Sequence, residues 1–204
     1  MWMAQGFIRS SNQNQCREDI GHDYFMELLW RSFFQEVEED MWGNISRFKV
    51  HDLMHDLAQS VAANDSATFY SKEEDIQEKT LHISFDRTFL SSSGIPISLY
   101  KASRIRTFVL LSQSQHPRLG KSTYNAIVSR FKFICLLDLH DMGIKIIQSS
   151  VGKLRHLRYL YLSSNSIRML PNSITRLHNL QTLRLSRCPI KELPKDKIIQ
   201  PQVS

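Results

Sequence analysis

The side chains with the greatest potential for chemistry lie close together in the first third of the chain. His51 and His55 are four residues apart, as are Asp52 and Asp56, so each pair shares one face of a helix. Two histidines at this spacing can bind zinc, but the metalloprotease pattern H-E-x-x-H has glutamate where this chain has Asp52. The sequence identifies no third ligand. The pattern therefore favours a helix start, with aspartates at the positive end of the helix dipole, over a metal site.

A second candidate for chemistry is the sequence Gly120-Lys121-Ser122-Thr123, which follows an apolar segment and has the ending of a Walker A motif. That motif needs a glycine five residues before Gly120, where this chain has Gln115, and Pro117 stiffens the connection. Too few backbone amides could converge on a phosphate. We predict an ordinary loop here. Since no paired carboxylates, nucleophile elbow or Ser-His-Asp arrangement can be identified either, we predict that the chain is not an enzyme.

The dominant pattern of the chain is a repeat of 23 residues over 157–194. Seven positions recur: Leu157, Leu160, Leu162, Asn165, Ile167 and Leu170-Pro171 match Leu180, Leu183, Leu185, Cys188, Ile190 and Leu193-Pro194. This is the leucine-rich-repeat signature L-x-x-L-x-L-x-x-N/C-x-L. Alternate leucines of a short strand point inward, and the Asn or Cys satisfies backbone groups where the chain turns away. Met142 stands in the Asn or Cys position one repeat earlier, so we expect a looser turn there.

Five strands of such an array are predicted over 81–204, at 81–85, 105–110, 134–139, 157–162 and 180–185. Side chains at the outward strand positions form the concave surface, where repeat proteins bind partners. Aromatic and arginine residues are the usual anchors of protein contacts. The predicted partner-facing residues are Arg106, Asp138, His140, Arg158, Tyr159, Tyr161, Arg184 and Arg187.

The two halves of the chain differ in charge and in pattern. Residues 1–80 hold 7 Lys and Arg against 15 Asp and Glu, a net charge of −8, whereas residues 81–204 hold 19 against 5, a net charge of +14. In the acidic half the patterns predict a helix ending near residue 8, a helix over 18–32, a β-hairpin closing at Gly43-Asn44 and a helix over 51–63. This order is typical of a winged helix. The helix over 18–32 carries four acidic residues and would repel DNA.

The predicted fold class is therefore α+β, a small winged-helix domain followed by a leucine-rich-repeat solenoid of parallel strands with irregular or helical return segments. We assign residues 1–66 to a partial winged-helix domain, 67–80 to a linker or the start of the array, and 81–204 to about five repeats. The three cysteines are odd in number and form no C-x-x-C pair, which indicates reduced thiols in a cytoplasmic or nuclear compartment. Apolar runs are too short to span a bilayer, so we expect no membrane partner.

The first half resembles a known family. The stretch Trp2–Ile8, then 24–35, then Lys49–Ala58 is similar to the winged-helix part of plant nucleotide-binding, leucine-rich-repeat (NB-ARC/LRR) disease-resistance proteins. The resemblance implies that the family's Met-His-Asp motif falls on Val50-His51-Asp52, with Val50 replacing methionine. By resemblance, His51 would contact the phosphates of bound ADP and Asp52 would be its structural partner. The nucleotide-binding domain of the family is not within these residues, so we expect no cofactor on this chain alone and ADP or ATP only where that domain is present.

Two classes of function remain open. The leading hypothesis is a non-catalytic regulatory and protein-interaction module of an intracellular plant immune receptor. Its start within a winged helix and its uncapped last repeat favour a truncated receptor. Its partners would be the receptor's own nucleotide-binding domain, to which the opposite charges point, or host or pathogen proteins. The alternative is a nucleic-acid-binding protein that uses the basic repeat face. A continuous basic stripe with interleaved aromatic residues would distinguish it, and the sequence has one only around Arg158–Tyr161.

Overall fold

The computed structural model describes residues 1–8, 16–62, 65–70, 76–86, 90, 92–111, 118–194 and 202–203. The chain divides into two compact units, Met1–Ala63 and Asn64–Ser204. Within the described residues, no helix combines the length and the apolar character that crossing a membrane requires.

The first unit follows the predicted winged-helix order. Its elements are helix α1 (Trp2–Gln5), helix α2 (Arg17–Trp30), strands β1 (Phe34–Glu39) and β2 (Ile45–Val50), and helix α3 (Asp52–Ala62). Both predicted long helices and the hairpin are confirmed. Most of their ends lie within one or two residues of the predicted positions. The rings of Phe25, Phe34 and Phe48 pack against one another with centroids 4.5–5.1 Å apart, which joins α2 to the antiparallel hairpin.

Hydrogen bonds within the hairpin turn explain how the chain reverses direction in an acidic segment. The Asp40 carboxylate accepts the backbone N–H groups of Trp42 and Asn44, each at 2.9 Å. These hydrogen bonds, the one from Asn44 first, lower the pKa of Asp40. Gly43 has a φ of 78°, a conformation that glycine adopts without steric cost. The predicted turn at Gly43-Asn44 is therefore confirmed.

The second unit is a parallel sheet. Among the described residues it has seven strands in chain order: β3 (Ser66–Phe69), β4 (His82–Asp86), β5 (Thr107–Leu111), β6 (Leu136–Asp138), β7 (Tyr159–Tyr161), β8 (Thr182–Arg184) and β9 (Gln202–Val203). Helix α4 (Lys121–Arg130) and the 3-10 helices Ile97–Lys101, Ser149–Lys153 and Asn172–Arg176 lie in the return segments. The predicted leucine-rich-repeat solenoid is confirmed.

The core of the repeat unit is one continuous cluster. Leu137 pairs with Leu160 and Leu160 with Leu183 across the parallel strands, and each of the three is at most 1% exposed. Towards β3 the same cluster changes from leucine to phenylalanine. Phe69 stacks on Phe85 at 4.6 Å and Phe85 on Phe108 at 5.1 Å. Each coil of the solenoid, which is one strand with its return segment, thus buries its apolar side chains against the neighbouring coils.

Asn165 and Cys188 link each coil to the one before it. The Asn165 Oδ1 atom accepts the N–H groups of Met142 and Ile144 at 3.1 and 2.9 Å, and its Nδ2 atom donates to the carbonyls of Leu139 and Leu162 at 2.9 and 2.7 Å. One repeat later the Cys188 thiol donates to the Leu162 carbonyl at 3.1 Å. Burial raises the pKa of Cys188, while hydrogen bonds from the Asn165 and Ile167 backbone oppose the shift. The thiol therefore stays protonated and donates at neutral pH.

Two expectations differ from the structure. The segment 67–80 had two interpretations, a linker or the start of the array, and it begins with part of β3, whose Phe69 is fully buried although the strand lacks the leucine signature. The loop predicted at Gly120-Lys121-Ser122-Thr123 is instead the start of α4, because Tyr124, Ile127 and Val128 bury one helical face. The turn at Met142 is not looser than the others.

That turn has the same backbone as its equivalents. Asp141 has a φ of 53°, close to the 59° of Ser164 and of Arg187 in the next two repeats. Because the Asn165 side chain reaches back to the Met142 amide, the hydrogen bond comes from the following repeat. Methionine at position 142 therefore costs this turn nothing.

Replacement of Asn165 tests the hydrogen bonds that link neighbouring coils. Asn165→Ala leaves two amides and two carbonyls without their side-chain partner, so we expect a loss of about 2–4 kcal/mol in the free energy of unfolding. Asn165→Cys, which copies Cys188, should lose about half as much. Hydrogen exchange at the Met142 and Ile144 amides should accelerate more in the alanine variant than in the cysteine variant. Equal exchange rates in both variants would contradict the assigned role.

Candidate partner-binding site

The sheet presents two rows of side chains on the face opposite the leucine core. Because strand side chains alternate, the residues on either side of Leu137, Leu160 and Leu183 point away from that core. In register, one row holds His82, Thr107, Leu136, Tyr159 and Thr182, and the other holds Asp138, Tyr161 and Arg184. The parallel register therefore brings residues that are 23 positions apart into lateral contact.

Asp138 and His140 form the first part of the site. Asp138 is only 2% exposed, and its Oδ1 atom accepts both the backbone N–H of His140 at 3.0 Å and the His140 Nδ1 at 2.6 Å. The His140 ring in turn stacks on Tyr161, with centroids 4.6 Å apart and planes 11° apart. A buried carboxylate thus orients the imidazole against the neighbouring strand's tyrosine.

Arg184 completes the arrangement from the other side. Its guanidinium carbon lies 5.0 Å from the centre of the Tyr161 ring, within the range of a cation–π contact. Since β7 lies between β6 and β8, His140 and Arg184 approach Tyr161 from opposite sides. A hydrogen bond with the Tyr159 side chain raises the pKa of Arg184, and burial opposes the shift. We call His140, Tyr161 and Arg184, with Asp138 and Tyr159 beneath them, the aromatic stack.

Five of the eight predicted partner-facing residues therefore come together. Tyr159 is 7% exposed and packs edge-on against Tyr161 at 6.4 Å, so it supports the stack from below. Arg106 and Arg158 occupy equivalent positions just before β5 and β7, where their carbonyls accept N–H groups of the next coil. Arg187 is exposed on the turn after β8, with a φ of 59°. These three arginines border the stack along the chain.

Sequence reasoning missed His82. Its Nδ1 atom lies 2.8 Å from the Thr107 Oγ1 atom on the next strand, in the same row as Tyr159. Burial lowers the pKa of His82, the Asp65 carboxylate opposes this shift and Arg106 adds to it. Its outward position in the predicted strand over 81–85 was the available signal.

The first unit holds the two residues that the resemblance links to nucleotide sensing. The His51 Nδ1 atom accepts the Leu53 N–H at 3.2 Å, at the start of α3. With Nδ1 accepting, the neutral ring carries its proton on Nε2, which can donate to a phosphate oxygen. Asp52 is exposed in the first turn of the helix. The residues present are thus compatible with the implied contact. No cluster of three or more His, Cys, Asp or Glu side chains suited to a metal occurs among the described residues.

Comparison with known proteins bears on both units. A family model described as the disease resistance protein winged helix domain matches residues 1–58, and one described as a leucine-rich repeat region matches residues 117–200. The disease resistance protein RGA1 of Solanum bulbocastanum is 36% identical over 162 residues, which are 78% of this chain and 13% of that protein. A disease resistance protein of Arabidopsis thaliana is 33% identical over 166 residues, which are 78% of this chain and 11% of that protein. The chain belongs to the family of plant disease-resistance proteins.

The family resemblance noted in the sequence is therefore confirmed. The chain spans about one eighth of the length of these relatives. A solved leucine-rich-repeat protein of Leptospira interrogans is also similar, at 20% identity and a TM-score of 0.44, over 57% of this chain and 28% of that one. The second matched region of this chain, residues 117–200, contains the strands β6, β7 and β8 that carry the aromatic stack.

A double-mutant cycle tests the contact between Tyr161 and Arg184. We expect Tyr161→Leu and Arg184→Gln to be coupled by about 0.5–1 kcal/mol in the free energy of unfolding. Tyr161→Leu with Arg168→Gln is the matched control and should show no coupling. Urea unfolding should be followed by circular dichroism, because all three tryptophans precede residue 43 and report on the first unit. Coupling of the control pair by the same amount would refute a specific stack.

The lowered pKa of His82 predicts a pH dependence of stability. As the pH falls below 6.5, the ordinary pKa of histidine, the unfolded chain takes up a proton at this position before the folded chain does. The His82 contribution to stability is therefore complete above pH 6.5 and is lost as the pH falls towards the lowered folded pKa. His82→Gln should reduce the slope of the free energy of unfolding against pH in this acid range. The reduction should correspond to a fraction of one proton taken up on unfolding. Thr107→Val, which keeps the histidine, should retain the slope.

Proposed function

We propose that this chain is a regulatory and protein-interaction module of a plant immune receptor, acting by binding rather than by catalysis in the cytoplasm. Its partner site would be the sheet face around the aromatic stack. One observation carries this proposal: the Tyr161 ring is held between His140 and Arg184, on a row of parallel strands. The names of the relatives supply the setting, since they are disease-resistance proteins.

The stack suits protein binding because it is already ordered. Binding costs free energy for each rotamer-rich side chain that must be immobilised, about 0.5–1.5 kcal/mol apiece. Arg184 is restrained by Tyr161 and Tyr159, and His140 by the buried Asp138. Tyrosine and arginine in such restrained positions are typical of the residues that dominate interface energies.

The same geometry disfavours the nucleic-acid alternative on this face. Binding of single strands uses the open faces of aromatic rings, on which bases stack. Both faces of Tyr161 are occupied, by an imidazole on one side and a guanidinium on the other. Tyr159 is nearly buried. The sheet face therefore offers ring edges and hydrogen-bonding groups, which favour a protein surface.

The winged-helix unit supports a regulatory role. Leu53, Leu57 and Val61 recur every four residues along α3 and are 67%, 56% and 76% exposed. An apolar stripe of this kind marks a surface that packs against another protein. His51, at the start of the same helix, would contact the phosphates of ADP or ATP when a nucleotide-binding domain is present. Contacts that differ between two states of the receptor would then bias its on/off equilibrium.

A binding experiment with matched arginine variants tests the proposal. The chain is immobilised and a separately expressed nucleotide-binding domain of this family is passed over it. We expect binding that Arg184→Ala or Tyr161→Ala weakens by about tenfold or more, because interface anchors cost above 1 kcal/mol when truncated. Arg168→Ala removes the same charge from an exposed position outside the stack and should change the affinity less than threefold. Equal losses for Arg184→Ala and Arg168→Ala would refute the site.

A further inference from the structure

The return segments of the repeats carry a second charged surface, which the proposed function does not use. Between positions 142 and 191 the sequence holds nine lysines and arginines and no aspartate or glutamate. Some of these cations belong to the sheet face. Others belong to two series of basic side chains that recur on the return segments at the repeat interval of 23 residues: Lys132, Arg155 and His178, and Arg130, Lys153 and Arg176. The period therefore aligns basic side chains coil by coil.

These cations line two adjoining recesses. The larger, of about 1150 Å³, lies between the 3-10 helices Ser149–Lys153 and Asn172–Arg176, and the smaller, of about 740 Å³, lies between α4 and the first of these helices. Both recesses are lined by Lys153, Arg155 and Ser150, so they form one groove. We call it the return groove and define it by Lys132, Lys153, Arg155, Arg176 and His178.

The positive charge of the return groove is uncompensated within the part of the chain that the structure describes. Lys132, Lys153, Arg155 and Arg176 form no ion pair with any described residue. No acidic side chain is found among the described residues that line either recess. Such a surface attracts anions, since nothing in the groove competes for the cations.

The two return turns that line the larger recess pack closely against each other. Ser150 and Ser173 occupy equivalent positions, and the buried hydroxyl of each has no hydrogen-bond partner among the described residues. A Cβ atom on Gly152 would lie 2.5 Å from the Ser173 carbonyl oxygen, which shows how closely the two return turns pack. The Asn179 side chain donates to the Arg155 carbonyl at 2.7 Å and fixes the backbone of that arginine.

We propose that the return groove binds a small molecule that carries several phosphate groups. Two arginines supply planar donor pairs that match phosphate oxygens bidentately, and lysine adds single donors. Several cations on successive coils match several anionic groups on one ligand. The ligand is small because the cations line recesses that extend over three coils only.

Larger polyanions fit the groove less well. A nucleic-acid strand would need stacking platforms along the groove, and the aromatic lining is Phe133 at one end, with His156 packed 5.5 Å from its ring. A membrane surface would need cations that protrude rather than cations that line a recess. The recessed basic groove therefore favours a free polyphosphorylated molecule over either macromolecular surface.

Titration calorimetry of the full 204-residue chain with inorganic tripolyphosphate tests this inference. We expect one site per chain, with an affinity that falls as salt is added. The double variant Arg155→Ala with Arg176→Ala should weaken binding by about tenfold or more, because each removes charge-assisted hydrogen bonds. The control pair is Arg168→Ala with Lys191→Ala, which removes the same charge from equivalent positions of consecutive repeats outside the groove. It should change the affinity less than threefold.

The other outcomes overturn the inference. An equal loss in both double variants would mean attraction by net charge alone. Tighter binding of a twelve-nucleotide oligothymidylate or of vesicles containing anionic lipid than of tripolyphosphate would assign the groove to a macromolecule.

Lys153→Gln with Arg176→Gln is a second groove pair, to be used if circular dichroism shows that the first pair does not fold. Tyr161→Ala should leave tripolyphosphate binding intact, which separates this site from the partner-binding site.

Discussion

The repeat unit depends on one constraint. No coil can bury its apolar side chains by itself, and none can supply every hydrogen bond that the backbone of its own turn needs. Leu160 is buried between Leu137 and Leu183, and the amides of Met142 and Ile144 find their acceptor in Asn165 of the following coil. Cys188 repeats the arrangement with a weaker donor. A solenoid is therefore stabilised through the interfaces between neighbouring repeats, and a change in one coil acts on the next.

The same period that aligns the leucines also aligns everything between them. On the sheet face it places Asp138, Tyr161 and Arg184 side by side on three strands, where their contacts hold one another in place. On the return face it places Arg155 and His178 in successive coils along one groove. One periodic scaffold thus presents two surfaces of different chemistry, an ordered aromatic and charged one and a purely basic one.

The winged-helix unit is organised differently. Its aromatic contacts join α2 to the hairpin, but α3 has no buried residue, and its apolar stripe faces outward. Hydrophobic burial stabilises a small unit only in proportion to the apolar area removed from water. This unit is therefore less self-contained than the repeats.

The sequence by itself determined the architecture, because strand positions with period two and repeats of 23 residues dictate which side chains point inward. It also carried the family resemblance, through Val50-His51-Asp52 and its neighbours. Only the tertiary structure decided how side chains from separate coils meet. The stacking of His140 on Tyr161, the contact of Arg184 with that ring, the donor role of Cys188 and the strand at Ser66–Phe69 depend on parallel register and on packing against neighbouring strands. Periodicity defines the direction of a side chain, whereas its contacts depend on residues far away in the chain.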